Sequence, residues 1–445
     1  MKSYPFRNGF TLIELLVVIA IIATLAVVVV LTLNPAELLR QSRDANRISD
    51  MATLSLAIGL YNTDQSEVSS YSLGTANTVY PSVYDPAATT TAGTNCSTMG
   101  LPTMPSTYFW HCAASSTYRN ASSNGWIPIN FQAISAGSPF GSLPVDPTNN
   151  TSSRLYYTYT TNGTQFEVTA PMQSTKYQLG GSNDQITGDG ASLATVYAKG
   201  SNPTLEPLDY GDQTLVGYWP LNEGTNTVAY DDSGSGTNGT WSGAATGNNG
   251  TYYTTGQLGQ YAGIFNGTGI DTYINIPTDI SALNSASKFS WTFWFNPSST
   301  LPSSGVDTIF SKSETNQAAN DTIMYIYTGN MMSWQINNGA DGGSSFSFPT
   351  STYGTWNQII GVFDGTQTGN ANRMIIYLNG VQQTLSFGAW TVPATSYNMA
   401  GFGQNIGMYD LGPTTSGYTG SLDDFRIYNR ALSATEIQAL YNSQK

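Results

Sequence analysis

The 445-residue sequence has one histidine, His111, and two cysteines, Cys96 and Cys112. Ser-His-Asp and Cys-His catalysis, and any histidine-rich metal centre, would all have to pass through that one imidazole, which argues against most hydrolase chemistry. A zinc site at Cys96, His111 and Cys112 would still need a carboxylate to complete its tetrahedron, so a disulfide with a bystander histidine is the expectation. Charge is also scarce: charged residues make up 10% of the chain, with 15 Lys and Arg against 28 Asp and Glu, a net charge of −13. So acidic a surface is a poor partner for nucleic acid, and the chain has no basic patch, no GxxxxGK[ST] loop and no dinucleotide fingerprint. The acidity is uneven, with 11 acids and 9 bases over residues 1–204 but 17 and 6 over 205–445, which implies two differently built parts.

Long apolar runs are absent except at the N-terminus. From Phe10 to Leu33 the only ionisable side chain is Glu14, and 17 residues of that run are Leu, Ile, Val or Phe. A helix of this length rises about 36 Å, enough for a hydrocarbon layer of ~30 Å. Each large apolar residue favours insertion by roughly 0.3–0.6 kcal/mol, which outweighs the ~3 kcal/mol cost of one buried acid. An ordinary secretory signal has its small-residue cleavage site after a short apolar core. Here the order is reversed, because Lys2, Arg7 and Gly9 all precede the apolar run.

The string GFTLIELLVVIAII resembles the class III signal of type IV pilins and type II secretion pseudopilins. That resemblance implies a leader over 1–9, cleavage between Gly9 and Phe10 by a prepilin peptidase, methylation of the new amino terminus, and a membrane helix over 10–33. With Lys2 and Arg7 removed, the net charge falls from −13 to about −15. It also implies that Glu14 meets the amino terminus of a neighbouring subunit. The physical reason is that an acid in lipid is costly until a cation is brought beside it, which register-matched stacking does. Proline at 35 is expected to kink the helix. The pattern then resumes to about residue 62, with Ile48, Met51, Ile58 and Tyr61 on one face and Arg40, Arg43, Asp44, Arg47 and Asp50 on the others.

Residues 63–198 are rich in Ser, Thr, Asn, Gly and Tyr and read as a small α+β head. Alternating runs at Leu155–Thr160 and Gln165–Ala170, joined by Thr-Asn-Gly, signal a hairpin. Together with the preceding LPVDP they resemble the head of major pseudopilins. Asp184 and Asp189 in GSNDQITGDG are candidate oxygen donors for calcium, against the alternative of an ordinary turn. Cys96 and Cys112, outside the membrane, are expected to close a 17-residue loop. Residues 199–213, with two prolines and no periodicity, read as a linker.

Residues 214–445 show many short strands separated by Gly, Asn, Thr and Ser turns, with no interleaved helices, which argues for an all-β jelly-roll sandwich. Alternation assigns Phe289, Trp291, Phe293 and Phe295 to its core, and Trp219, Trp334 and Trp356 also sit in apolar strand patterns. The strings LVGYWPLNEGTNTVAYDDSGSGTNGTW, FSWTFWF, TWNQIIGVFDG, IIYLNGV and GSLDDFRIYNRALSATEIQALYN resemble the concanavalin A-like, laminin G-type domain of bacterial surface proteins. The resemblance implies closure by a C-terminal helix, here from Ser433 with Glu436 completing a capping box. It also points to a calcium ion where the first turn meets the last strand, at Asp231, Asp232, Asn238, Asp423 and Asp424. The alternative is that Asp231 and Asp232 make a tight turn and Asp424 pairs with Arg426 or Arg430. Trp241, Trp390 and Tyr397, in small-residue loops, are candidates for an exposed ligand rim. The carboxylate string of glycoside hydrolases on this sandwich is missing.

These readings describe a minor or tip pilin-like subunit, exported as a single-pass precursor and assembled through its N-terminal helix. It would display a laminin G-like domain to a glycan or surface-protein ligand. The rival readings are a type II secretion pseudopilin and, further off, an envelope-anchored glycan-processing enzyme.

Overall fold

The computed structural model describes residues 11–69, 71–88, 96–105, 107–191, 193–267, 272–298, 306–314, 317–327, 330–340, 342–409 and 417–445. Helix α1 spans Leu12–Leu33, capped by Thr11, and helix α2 spans Pro35–Gln65. Between them the proline leaves a break rather than a kink. Asn34 takes a left-handed φ of 39°, and its side chain accepts the Glu37 N–H at 3.3 Å. Pro35 then sits in the first turn of α2, where its missing N–H costs nothing.

The inner stripe of α2 is Met51, Leu54, Ala57, Ile58 and Tyr61, packed against the head. Two charged residues that the helical pattern assigned to outer faces are instead inside, since Asp44 and Arg47 are fully buried. The reason is a distant partner. Arg47 donates Nε to Asp146 Oδ2 at 2.6 Å and Nη2 to Asp146 Oδ1 at 3.0 Å, and Nη1 reaches Asp44 Oδ1 at 2.7 Å. Asp44 also accepts the backbone N–H groups of Gln173 and Ser174. The LPVDP turn thus delivers a carboxylate to the helix, and the fork geometry suits arginine.

The head sheet comprises β1 (Thr78–Pro81), β2 (Phe109–Trp110), β3 (Thr158–Thr161), β4 (Phe166–Pro171) and β5 (Val196–Gly200), in the order β2-β1-β3-β4-β5. The expected hairpin is β3–β4, shifted a few residues towards the C-terminus. Cys96 and Cys112 are bonded, with Cα atoms 5.5 Å apart, and His111 packs its ring 5.2 Å from that of Tyr80. Burial holds the His111 imidazole below its usual range, as befits a packed ring. Replacing Cys96 and Cys112 by serine is expected to lower stability by roughly 3 kcal/mol, read as a shift in the urea midpoint.

The sandwich strands, in chain order, are β6 (Leu215–Trp219), β7 (Val228–Ala229), β8 (Gly239–Ser242), β9 (Tyr253–Thr255), β10 (Tyr261–Asn266), β11 (Tyr273–Asn275), β12 (Lys288–Pro297), β13 (Val306–Glu314) and β14 (Gln317–Tyr327). They continue with β15 (Met331–Ile336), β16 (Gly343–Ser347), β17 (Asn357–Asp364), β18 (Met374–Leu378), β19 (Val381–Gln382), β20 (Gly403–Ile406) and β21 (Thr419–Tyr428). One sheet runs β16-β15-β14-β13-β20-β11-β8-β7, and the other β9-β10-β21-β12-β17-β18-β19 with β6 added on β21. Phe289, Trp291, Phe293 and Phe295 fill the space between them as alternation requires, Phe293 stacking on Phe425 at 5.1 Å. Trp219 and Trp334 are buried there too, whereas Trp356 is half-exposed at the start of β17. Helix α3 (Ala434–Gln444) has the expected capping box, with Glu436 accepting the Ser433 N–H and Ser433 Oγ accepting the Glu436 N–H. Its Ile437 and Leu440, with Leu179 of the head, cover Ile360, Val362 and Tyr377 on the outside of the second sheet.

Residues 199–213 are not a free linker. Val196–Gly200 is the last strand of the head sheet, and Leu208 and Tyr210 are fully buried with Val83, Tyr156 and Val196. Tyr156 and Tyr210 stack at 4.9 Å. Further along, Asp209 accepts the N–H groups of Ala194 and Thr195 in the head while pairing with Arg426 of the sandwich at 3.3 Å. Low apolar periodicity concealed a strap anchored by buried acids as well as by Leu208 and Tyr210.

Candidate functional site

At the N-terminus, Gly9 and Phe10 lie outside the described residues. Glu14 Oε2 accepts the Thr11 N–H at 2.9 Å and the Thr11 hydroxyl at 2.8 Å, a capping box that also places the acid at the favourable end of the helix dipole. The apolar side chains around it, as far as Leu25, stand open, Leu12 at 81% exposure and Leu25 at 59%. Among the described residues no helix is long and apolar enough to cross a membrane, so the span of α1 is an expectation of the sequence.

Four of the five residues expected to hold calcium are already engaged through their side chains. Asp231 Oδ1 accepts the N–H groups of Tyr218 and Ser233, both at 3.0 Å, and Oδ2 accepts the Thr237 N–H and hydroxyl at 2.8 Å. Asn238 Oδ1 accepts the Asp231 N–H. Asp424 pairs with Arg426 at 3.0 Å and accepts Gln444 Nε2 at 2.8 Å. Asp423 turns the other way, where Oδ2 accepts the Gln257 and Leu258 N–H groups at 2.8 Å. The half-buried Asp232 carboxyl is pushed well above its usual range by desolvation, and further by Glu223, Asp231 and Asp209.

The turn itself is docked on the head. Thr103 donates its N–H to Gly234 O at 3.1 Å and Arg154 Nη1 reaches Ser233 O at 3.3 Å. Gly234 has a φ of +77°, and a Cβ there would lie 2.4 Å from Pro102 Cβ, so only glycine admits the disulfide loop. Both Asp231 oxygens are bonded and Asp424 faces a guanidinium, and of the buried oxygens of these five side chains only Asp423 Oδ1 lacks a partner among the described residues, so the arrangement is a poor fit to a calcium ion. Asp184 is likewise spent on a turn, accepting from Gly180, Ile186 and Thr187, while Asp189 accepts the N–H groups of Ala191 and Ala198, burial pushing its carboxyl up to about 6. Among the described residues no group of three or more His, Cys, Asp or Glu side chains is placed to hold a metal ion. Melting of the full chain is expected to be unchanged between calcium and chelator.

The expected aromatic rim is also redrawn. Trp241 is 4% exposed, on strand β8, and donates Nε1 to Tyr253 Oη at 3.0 Å. Tyr397 is half-buried and stacks on Phe402 at 6.1 Å, and Trp390 is partly exposed in the loop that follows β19. What the sequence reading passed over is the outer face of the first sheet, where Asp321 and Ile323 are buried and Tyr325 and Tyr327 half-buried. Met324 and Ile326 point into the core, so Tyr325 and Tyr327 point out, their rings 5.8 Å apart. Gln335 donates Nε2 to Tyr325 Oη at 2.8 Å across the sheet. At one end, Asp321 accepts Asn337 Nδ2 at 2.7 Å and the Tyr409 hydroxyl at 2.8 Å. Beside Asp321 in register, Ser313 Oγ is buried with no partner among the described residues. The signal was available in DTIMYIY, where Met324 and Ile326 are core and Asp, Ile, Tyr and Tyr fill the alternate positions.

Residues 6–30 match the family described as the prokaryotic N-terminal methylation motif, and residues 266–438 match the concanavalin A-like lectin/glucanases superfamily, laminin G type. The chain joins a type IV prepilin N-terminus to a laminin G-type domain. Strands β6–β10, before the matched segment, belong to that domain as well, since β6 and β10 both pair with β21. No curated protein matches the chain. Among solved structures, domain 4 of AbnA, a GH43 extracellular arabinanase from Geobacillus stearothermophilus, in complex with arabinotriose, is 19% identical over 51% of this chain and 98% of that one, at a TM-score of 0.35. The botulinum neurotoxin type G receptor binding domain is 18% identical over 52% of this chain and 51% of that one, at a TM-score of 0.36. The chain thus spans about half the length of that neurotoxin domain.

Proposed function

We propose that the protein is a minor or tip subunit of a type IV pilin-like filament whose laminin G-type domain binds a glycan or surface protein, without enzymatic activity. The observation that carries this reading is the prepilin motif at 6–30 on the same chain as the laminin G-type domain. In the pathway the motif implies, prepilin peptidase removes residues 1–9 at the cytoplasmic side of the membrane, and the chain leaves the membrane for the filament or cell surface. Glu14 then exchanges its Thr11 bonds for the amino terminus of Phe10 on a neighbouring subunit. A domain of about 230 residues added to every subunit would crowd a helical array, which favours a sparse or terminal position.

For the ligand, the half-exposed Tyr325 and Tyr327 rings with the Gln335 amide beside them on the outer sheet face form a surface suited to polyhydroxylated chains. Cations are scarce in this part of the chain, which favours a neutral ligand over a sulfated or nucleic one. Glycan-array binding by the full chain in detergent, with Tyr325→Ala beside the native protein, tests the assignment. A loss of tenfold or more in the variant is expected, and equal binding would move the site elsewhere. A pseudopilin of a type II secretion pump shares the N-terminus, and presence of the chain in sheared surface filaments separates the two.

A further inference from the structure

Two carboxyl groups in the head sit where the strap to the sandwich begins. Glu167 on β4 is 0% exposed and Glu206 on the strap is 5% exposed. Glu167 Oε2 accepts the N–H groups of Leu205 and Glu206, both at 2.6 Å, which seats the strap on the sheet. Glu206 Oε2 accepts the hydroxyls of Thr158 and Thr160 on β3 at 2.6 and 3.0 Å. The second oxygen of each, Oε1, is buried with no partner among the described residues, and so is the Tyr156 hydroxyl. No ion pair is made by either group among the described residues.

The groups that face them are almost all acids. Asp189 and Glu206 act on Glu167, and Tyr108, Tyr156 and Tyr210 stand near Glu206. The nearest cations serve others, Lys199 acting on Asp189 and Arg154 on Tyr156. Two anions this close in a dry interior repel each other and lack solvation, so the pair must be neutralised. Two cavities along the seam, of about 380 and 470 Å³, are lined by other residues.

We propose that Glu167 and Glu206 form a proton-held clasp: while protonated they keep the strap seated and the laminin G-type domain fixed on the head, and loss of their protons to solvent loosens both. Burial and mutual repulsion push the Glu167 carboxyl up to about 8, and burial pushes Glu206 up to about 7. An acid raised in the folded state stabilises it fully below the ordinary carboxylate range, and that contribution is lost as pH rises through the folded value. The clasp is therefore closed at pH 5–6 and weakened towards pH 9. Its release frees Leu205 and Glu206 first, and with them the hold that Asp209 has on Arg426.

The test is amide hydrogen exchange on the full chain in detergent micelles, corrected for the intrinsic pH dependence of exchange. Protection over 201–213 is expected to fall tenfold or more between pH 6 and 9, with β12 and β17 unchanged. The Glu167→Gln, Glu206→Gln variant, neutral at every pH, should show no fall. Infrared difference spectra of the native chain between pH 6 and 9 should show loss of carboxylic acid absorption, part of which is missing from each single variant, Glu167→Gln and Glu206→Gln, a readout that stands if the double variant does not fold. Constant protection across that range, a fall shared equally by the core strands, an unaltered fall in the variant, or an infrared difference that neither single variant reduces would each overturn the proposal.

Discussion

Arg426→Ala is expected to destabilise the full chain by about 3–5 kcal/mol, the range for removing one partner from a buried ion network. Arg426 is fully buried, bonded to Asp424 at 3.0 Å and Asp209 at 3.3 Å, with its guanidinium 4.1 Å from the Tyr218 ring. Removal leaves Asp209 and Asp424, 0% and 3% exposed, without a cation. It also cuts the tie between the strap and the last strand of the sandwich. Urea midpoints at constant slope give the measurement. A change within about 1 kcal/mol would be the size of an exposed pair and would contradict this account of the seam.

Arg47→Ala is expected to cost a similar amount, about 3–5 kcal/mol, for a related reason on the other side of the head. There the orphans are Asp44 and Asp146, 0% and 2% exposed, and the lost contact is the one that ties α2 to the LPVDP turn. Arg47→Lys is expected to recover only part of the loss, because an ammonium cannot span both oxygens of Asp146 as the guanidinium fork does. Full recovery by lysine would show that charge alone, and not geometry, fastens the helix.

Both arginines mark the boundary of what the sequence made legible. Features set by neighbouring residues were readable: the apolar run of α1, the hairpin around Thr-Asn-Gly, the Ser433–Glu436 capping box, and the inward row Phe289, Trp291, Phe293 and Phe295. Arg47 was assigned to an outer face because helical periodicity knows nothing of Asp146, 99 positions away. Asp209 meets Arg426 across 217 positions, so the strap that holds it looked like spacer. Trp241 looked exposed among glycines and serines, yet pairing of Gly239–Ser242 with Tyr273–Asn275 turns it inward.

The calcium expectation meets an obstacle of a different kind. The acids of YDDSGSGTNGT and GSLDDFRIY do approach one seam, but the Asp231 oxygens are saturated by backbone and hydroxyl donors, and Asp424 faces Arg426. An acidic string reports carboxylates without reporting their donors. The strap acids show the converse, where Glu167 and Glu206 gave no motif and become conspicuous only through their burial and their unpartnered oxygens.

The central claim, that this is a prepilin-type subunit and not a simple membrane-anchored lectin, is tested most directly by the mass of the N-terminal peptide from chain recovered in sheared surface filaments. The account predicts a mature chain beginning at Phe10 with a methylated amino group, lost when Gly9 is replaced, and poorly incorporated when Glu14 is alanine. A chain beginning anywhere else, or normal incorporation of the Glu14→Ala variant, would contradict it.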